Sequence, residues 1–309
     1  MNKEVSEKKV YVGGQAVIEG VMMRGPEYIA TAVREPGGGI VVQKTKLQSI
    51  SARFPVLKKP MLRGMIALYE SLLIGMKSLM FSAQAAGEEE DALSDREIYL
   101  TMTLSTLFAI VLFLAIPTYA VKFIPGMTGH PVAMNLAEGL IRLLIFLAYL
   151  YGISLTKDIQ RVFEYHGAEH KTIFCYEKNL PMTVENVRIQ PRLHPRCGTN
   201  FLLMVVVISI FIFAFLGWPS LWERIVSRVL LMPVVAGLAY EWIRMAAETT
   251  NPVLQALVRP GLWLQLITTR EPHDDQIEVA IRALEEAKPI EEAVVTKSMK
   301  EMTGAYVAG

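Results

Sequence analysis

Cysteine is scarce. The 309 residues contain two, too few for a disulfide-stapled fold. Charge is scarce as well. Charged residues make up 20% of the chain, against about 25% in a typical soluble domain. Hydrophobic residues reach 52%, and the mean hydropathy is +0.34. This composition excludes a disordered chain and argues against a purely soluble enzyme. A basic field is missing too. Lys and Arg number 31 against 30 Asp and Glu, a net charge of +1, so nucleic acid is not an expected partner. The chain has no internal repeat, no low-complexity tract, no Walker loop and no G-x-G-x-x-G, so no nucleotide cofactor is expected. A cleavable signal peptide is not expected either. The first ten residues are rich in charge, and Val10–Val21 is too short and glycine-rich for its apolar core.

What the chain does have is long apolar runs. A bilayer core of about 30 Å needs roughly 20 helical residues. Runs of that kind occur near 98–121, 136–156, 200–218 and 224–245. The second carries Glu138 and Arg142, four apart with the acid first, the favourable helical order. The fourth contains Pro233 and Gly237. Proline is tolerated in a span where neighbours satisfy the freed carbonyl, and a re-entrant element is the alternative. Lys and Arg cluster before the first run (Arg53, Lys58, Lys59, Arg63, Lys77, Arg96) and between the second and third (Lys157 to Arg196). The connection at 122–135 has only Lys122. That bias places both termini and the middle loop in the cytosol of a multi-pass inner-membrane protein.

Four regions are therefore expected. Residues 1–60 form a small antiparallel β unit, with Val10–Val17, Tyr28–Arg34 and Ile40–Lys46 as strands and Gly37-Gly38-Gly39 as a turn. Residues 61–97 form an amphipathic interfacial helix over Met61–Ala86, then the acidic linker Glu88–Asp91. Residues 98–250 are the membrane domain, with a cytosolic His/Cys loop at 157–199. Residues 251–309 hold a membrane-surface segment with Trp263, then an amphipathic helix at Gln276–Ala287. The fold class is a mainly helical polytopic membrane protein with about four spans and a small cytosolic β unit.

The chemistry concentrates in the middle loop. Three of the five histidines and both cysteines fall within it, and His166, His170, His194 and Cys197 are the candidate ligands. On a helix His166 and His170 point the same way and can share one metal. Glu169 completes H-x-x-E-H, the spacing in which histidines hold zinc and the glutamate activates water. A third ligand then comes from elsewhere, with Glu241 and Glu248 as candidates. A competing set is His166, His170, His194 and Cys197, a closed four-ligand site with a structural role. Elsewhere the plainer readings stand. Cys175 is a packing residue, His130 a turn residue, and His273 part of a helix N-cap region. The glycine-dense run Gly13–Pro26 is a kinked β edge with a turn at Gly25-Pro26, though Glu19 and Arg24 can line a polar site.

These residues carry a resemblance. Gly13–Pro26, His166-Gly167-Ala168-Glu169-His170-Lys171, His194-Pro195-Arg196-Cys197-Gly198-Thr199, Trp263-Leu264-Gln265 and Thr268-Thr269-Arg270-Glu271-Pro272 resemble the bacterial YqhQ family from about Val10 to Leu284. The resemblance implies a multi-pass membrane protein of unknown function with a metal-dependent activity. Two classes of function follow. One is a zinc-dependent hydrolase acting on an amphiphilic or membrane-borne substrate, with Glu169 as catalytic base. The other is a scaffold that binds a membrane-protein partner and uses metal structurally. A transporter ranks behind both, because the two strongest spans carry no charge.

Overall fold

The computed structural model describes residues 12–87, 94–127, 129–248 and 251–288. The acidic run Glu88–Asp91 lies outside them. Four strands come first: β1 (Gly13–Val17), β2 (Gly20–Arg24), β3 (Tyr28–Arg34) and β4 (Ile40–Lys46). They form one antiparallel sheet in the order β1-β2-β3-β4. Val21 pairs with Ala32 and Met23 with Ala30, and all four are buried. Alternation puts them on one face.

That face packs on α6 (Lys157–Glu177) and α11 (Asp274–Ala287). Tyr165 and Ala168 of α6, with Ile277, Ala280 and Leu284 of α11, complete a shared core. The helix expected at Gln276–Ala287 is therefore present, and the sheet already covers its apolar face. Cys175 lies in the same core, as a packing residue should. His273 precedes α11 at its N-cap, and its N–H donates to Gln276 Oε1 at 2.9 Å.

The opposite face of the sheet docks on α2 (Leu62–Ala86), reached through the short α1 (Ile50–Arg53) and a tight turn at Pro55–Lys58. Three links are polar. Thr31 Oγ1 donates to Ser78 Oγ at 3.0 Å, the Ile18 N–H to Ser82 Oγ at 3.3 Å, and Arg24 Nη2 to Glu70 at 2.8 Å. On the other side α2 exposes Tyr69, Leu72, Leu73, Met76 and Leu79.

The remaining helices are α3 (Asp95–Ile110), α4 (Ile116–Ala120), α5 (Pro131–Ile153), α7 (Val184–Arg188), α8 (Gly198–Ala214), α9 (Leu221–Glu248) and α10 (Pro252–Thr268). A π turn at Val111–Ala115 joins α3 to α4. Pro117 has no N–H to give the carbonyl four residues back, that of Phe113. Arg142 Nε donates to it instead, at 2.8 Å. His130 directly precedes α5 at its N-cap.

Four stretches are long and apolar enough to cross a membrane: Leu62–Ala86, Tyr99–Phe123, Pro131–Ile153 and Leu221–Met245. Three coincide with spans expected near 98–121, 136–156 and 224–245. The run expected at 200–218 forms a helix of 17 residues that stops at Ala214, about 26 Å long. Gly217 turns the chain just beyond, at φ +72°. The fourth stretch is α2, expected as interfacial. It has the length and apolarity of a span, while its polar face is held by the sheet.

Two connecting segments are helical. The loop at 157–199 is mostly helical, as α6 and α7. Its density of polar and charged residues hid a buried face. The surface segment at 251–269 is likewise a helix, α10. The chain is thus a mainly helical polytopic membrane protein with a small N-terminal antiparallel sheet.

Candidate metal centre

Helix α6 brings His166 and His170 onto one face, with ring centroids 4.4 Å apart. Cys197 is the N-cap of α8, at the positive end of its dipole. Its Sγ lies 3.2 Å from His166 Nε2. One donor atom from each of His166, His170 and Cys197 falls within 4.8 Å of the other two, close enough for a single ion to draw them together.

The outer ring nitrogens are tethered. His166 Nδ1 lies 2.8 Å from the Thr268 carbonyl, and His170 Nδ1 lies 2.5 Å from the Arg192 carbonyl. A carbonyl only accepts, so each Nδ1 carries the proton. In the neutral form of such a ring, Nε2 is unprotonated and faces the cluster. This is the orientation that outer partners impose on metal-binding histidines. Burial holds His170 below the usual imidazole value, in the neutral form that a metal requires. Its Nε2 is buried with no hydrogen-bond partner among the described residues.

The tethers are held in turn. The Arg270 N–H donates to the Phe163 carbonyl at 2.9 Å. Gly167 allows that approach, since a Cβ there would stand 2.0 Å from the Arg270 oxygen. Lys171 pairs with Glu271 at 2.7 Å, and Arg192 donates to the Thr269 carbonyl. The Thr268–Pro272 motif is thus the brace of the histidine helix.

Glu169 is 5% exposed. Its Oε2 lies 4.0 Å from His166 Nε2. Strand β1 passes over it so closely that a Cβ on Gly14 would stand 2.7 Å from its Cγ. Burial pushes its carboxyl above the usual carboxylate range, while His166 and His194 pull the other way.

His194 does not join the three-donor group. Its ring Nδ1 accepts the Arg196 N–H at 3.3 Å, and its Nε2 lies 3.7 Å from Glu177. Its backbone N–H and carbonyl are both bonded to the Gln265 side chain at 2.8 Å. Burial lowers its proton affinity. Glu241 is not brought to the histidines. It accepts from Arg63 and from the Met61 N–H at 3.2 Å, so α2 occupies its carboxylate. The Glu248 side chain lies outside the described residues. Glu19 bonds Arg161 and Tyr165 from a tight turn at φ +49°, and Arg24 is bound to Glu70. Both serve packing of the sheet.

Sequence reasoning missed Gly14, Gln265 and the two carbonyl tethers as parts of the site. Only the motif runs that contain them signalled anything.

Residues 59–289 match a family model described as "Protein of unknown function (DUF1385)". The chain is 40% identical over 294 residues to "Uncharacterized protein YqhQ" of Bacillus subtilis (strain 168), covering 90% of this chain and 92% of that protein. No solved structure matches it. By both matches, the histidine helix and its brace included, this chain belongs to the YqhQ family.

Proposed function

We propose that the protein is a membrane-embedded, zinc-dependent hydrolase. Its site faces the cytosol and takes an amphiphilic or membrane-borne substrate. The observation that carries this reading is the pair of histidines whose Nδ1 atoms are tied to backbone carbonyls and whose Nε2 atoms converge on Cys197. Three protein ligands leave one position for water or substrate, the pattern of catalytic rather than structural zinc. When bound, zinc supplies Lewis-acid polarisation of a carbonyl or phosphoryl oxygen. Glu169 supplies the base: its carboxylate takes the proton of the attacking water, and burial has raised its affinity for that proton. Gln265 and the Thr268 and Arg192 carbonyls orient the surrounding groups. The closed-site alternative, a scaffold with structural zinc, requires His194 to leave the Arg196 N–H and join the three donors.

Metal analysis of the full chain purified in detergent tests the ligand set. Wild type should carry about one zinc per chain, and His170→Ala and Cys197→Ala should each lose it. A wild type that neither retains zinc nor rebinds it refutes the reading.

Orientation has its own test. A single cysteine placed at Glu185 should react only with reagents that enter the cytosol. One placed at Gly129 should react from outside the cell. Labelling of position 185 by an impermeant reagent would put the site on the other side.

A further inference from the structure

Between Pro36 and Gly87 the chain carries seven basic residues and one acid, Glu70. The excess is local, since the whole chain has a net charge of +1. Glu70 is already matched. It is buried and accepts from Arg24, from Ser49 Oγ at 2.9 Å and from the Ile50 N–H at 2.7 Å. Two of the seven cations have acids from other elements, Lys44 with Glu286 and Arg63 with Glu241. The other five are Lys46, Arg53, Lys58, Lys59 and Lys77. Each is exposed, and none has an acidic partner among the described residues.

Large apolar side chains are exposed among these cations. Phe54 and Val56, at the tight turn between Arg53 and Lys58, are 53% and 60% exposed. Tyr69, Leu72 and Met76 are exposed on α2, beside Lys77. Glu70 fastens the start of α1 to α2, so the turn and the helix form one piece. Lys46 and Lys77 line one cavity of about 450 Å³ between β4 and α2, which brings the cation of the strand to the helix. Glu70 lines it too, held by Arg24.

The packing of α2 sets this piece at a membrane boundary. Its start meets α9, which is long and apolar enough to cross: Arg63 bonds Glu241, and a Cβ on Gly64 would stand 2.7 Å from the Tyr240 Cβ. Glu241 is close to the end of α9 at Glu248, about 10 Å along the axis. From Glu70 to Ser82 the same helix holds the sheet. An open sheet cannot enter hydrocarbon, where the unpaired backbone groups of its edges find no partner. Helix α2 therefore runs along the boundary, with the sheet on one side and Tyr69, Leu72 and Met76 on the other.

We infer that α1, the turn and α2 form a docking surface for an anionic lipid leaflet. The apolar side chains enter the interface, and the five cations meet lipid phosphates. Apolar and basic side chains on one side mark a helix bound in the plane of a membrane. Near an anionic leaflet each such cation strengthens binding about five-fold, and long basic side chains reach headgroups past an apolar stem. The docking needs no zinc and stands apart from the hydrolase reading.

The test uses the full chain in neutral detergent, with an environment-sensitive dye on Val56→Cys. Both native cysteines are buried. Phosphatidylglycerol added to the micelles should shift the dye to the blue at a mole fraction about ten-fold or more below that needed with phosphatidylcholine. Arg53→Gln, Lys58→Gln and Lys59→Gln combined should erase the preference, and the charge-keeping set Arg53→Lys, Lys58→Arg and Lys59→Arg should retain it. Should the first set melt early, Lys58→Gln with Lys59→Gln takes its place. Salt at about 0.5 M should remove most of the preference. His170→Ala should respond as wild type does while losing zinc, which separates this proposal from the metal reading. In vesicles, dyes on Leu72→Cys, Met76→Cys and Leu79→Cys should be quenched alike by a spin label near the headgroups, and less by one at the bilayer centre. Equal response to the two lipids, a preference that survives in the folded glutamine variant, or a depth that changes by about 10 Å from position 72 to 79, as in a crossing helix, would overturn the proposal.

Discussion

Glu169→Gln is expected to abolish the protein's cellular function while leaving its zinc and its melting temperature nearly unchanged. Glutamine has the same shape and fits the same space beneath Gly14, so the packing of β1 over α6 survives. His166, His170 and Cys197 keep their donor atoms. What is lost is a group able to accept a proton, and general-base catalysis contributes about 10²–10⁴-fold. Complementation of a deletion strain, metal content and thermal unfolding are measured on one preparation. Full complementation by Glu169→Gln, alongside loss of zinc and folding in Cys197→Ala, would leave the structural role standing and sink the catalytic one.

The largest effect on stability is expected from Glu138→Gln. Glu138 is 1% exposed and faces three guanidinium groups. Arg142 lies at 2.7 Å and Arg228 Nη2 at 2.7 Å, with Arg224 bonded to the second oxygen. Thr118 and Asn135 close the shell. One carboxylate therefore ties α4, α5 and α9 together. Removing its charge leaves three buried cations with no counterion, and breaking a buried pair in this way costs about 3–5 kcal/mol. In a membrane setting such charges have no water to retreat to. The midpoint of thermal unfolding in detergent should fall by roughly 10 °C. Arg142→Met should fall less, because Glu138 keeps two partners. A midpoint for Glu138→Gln within about 2 °C of wild type would show that the cluster does not hold the helices.

The features legible in the sequence are those carried by neighbours along the chain. The run at 98–121 announces itself by composition. His166 and His170 announce themselves by a four-residue spacing that needs nothing beyond a helix. Glu138 and Arg142 were readable as a pair for the same reason. Arg224 and Arg228 were not, because they arrive from α9, and nothing local marks an arginine at a helix start as a ligand of a carboxylate 86 or 90 residues away. Gln265 is similar: its bonds to His194 and Asn200 span 71 and 65 residues. Beyond that spacing, α6 is hard to see in the sequence because the side chains that serve its site are polar. A face built of His166, Glu169, His170 and Lys171 breaks the apolar period that would reveal it. The expectation that His194 is a ligand came from H-x-x-C spacing alone. In the structure its Nδ1 accepts the Arg196 N–H, while its Nε2 is buried with no hydrogen-bond partner among the described residues.

The pairing of the sheet with α11 also bears on how the chain is made. Arg34 at the end of β3 bonds the Asp275 carbonyl at the start of α11, 241 residues later. At synthesis rates of about 5–20 residues per second, the ribosome needs roughly ten to fifty seconds to cover that distance. Throughout it Val21, Met23, Ala30 and Ala32 lack α11, and His166, once made, lacks the Thr268 carbonyl for a further 102 residues. The strands must wait for a helix that is made 241 residues later. During that interval one face of the sheet lacks part of its cover, and the histidine helix is made before its brace.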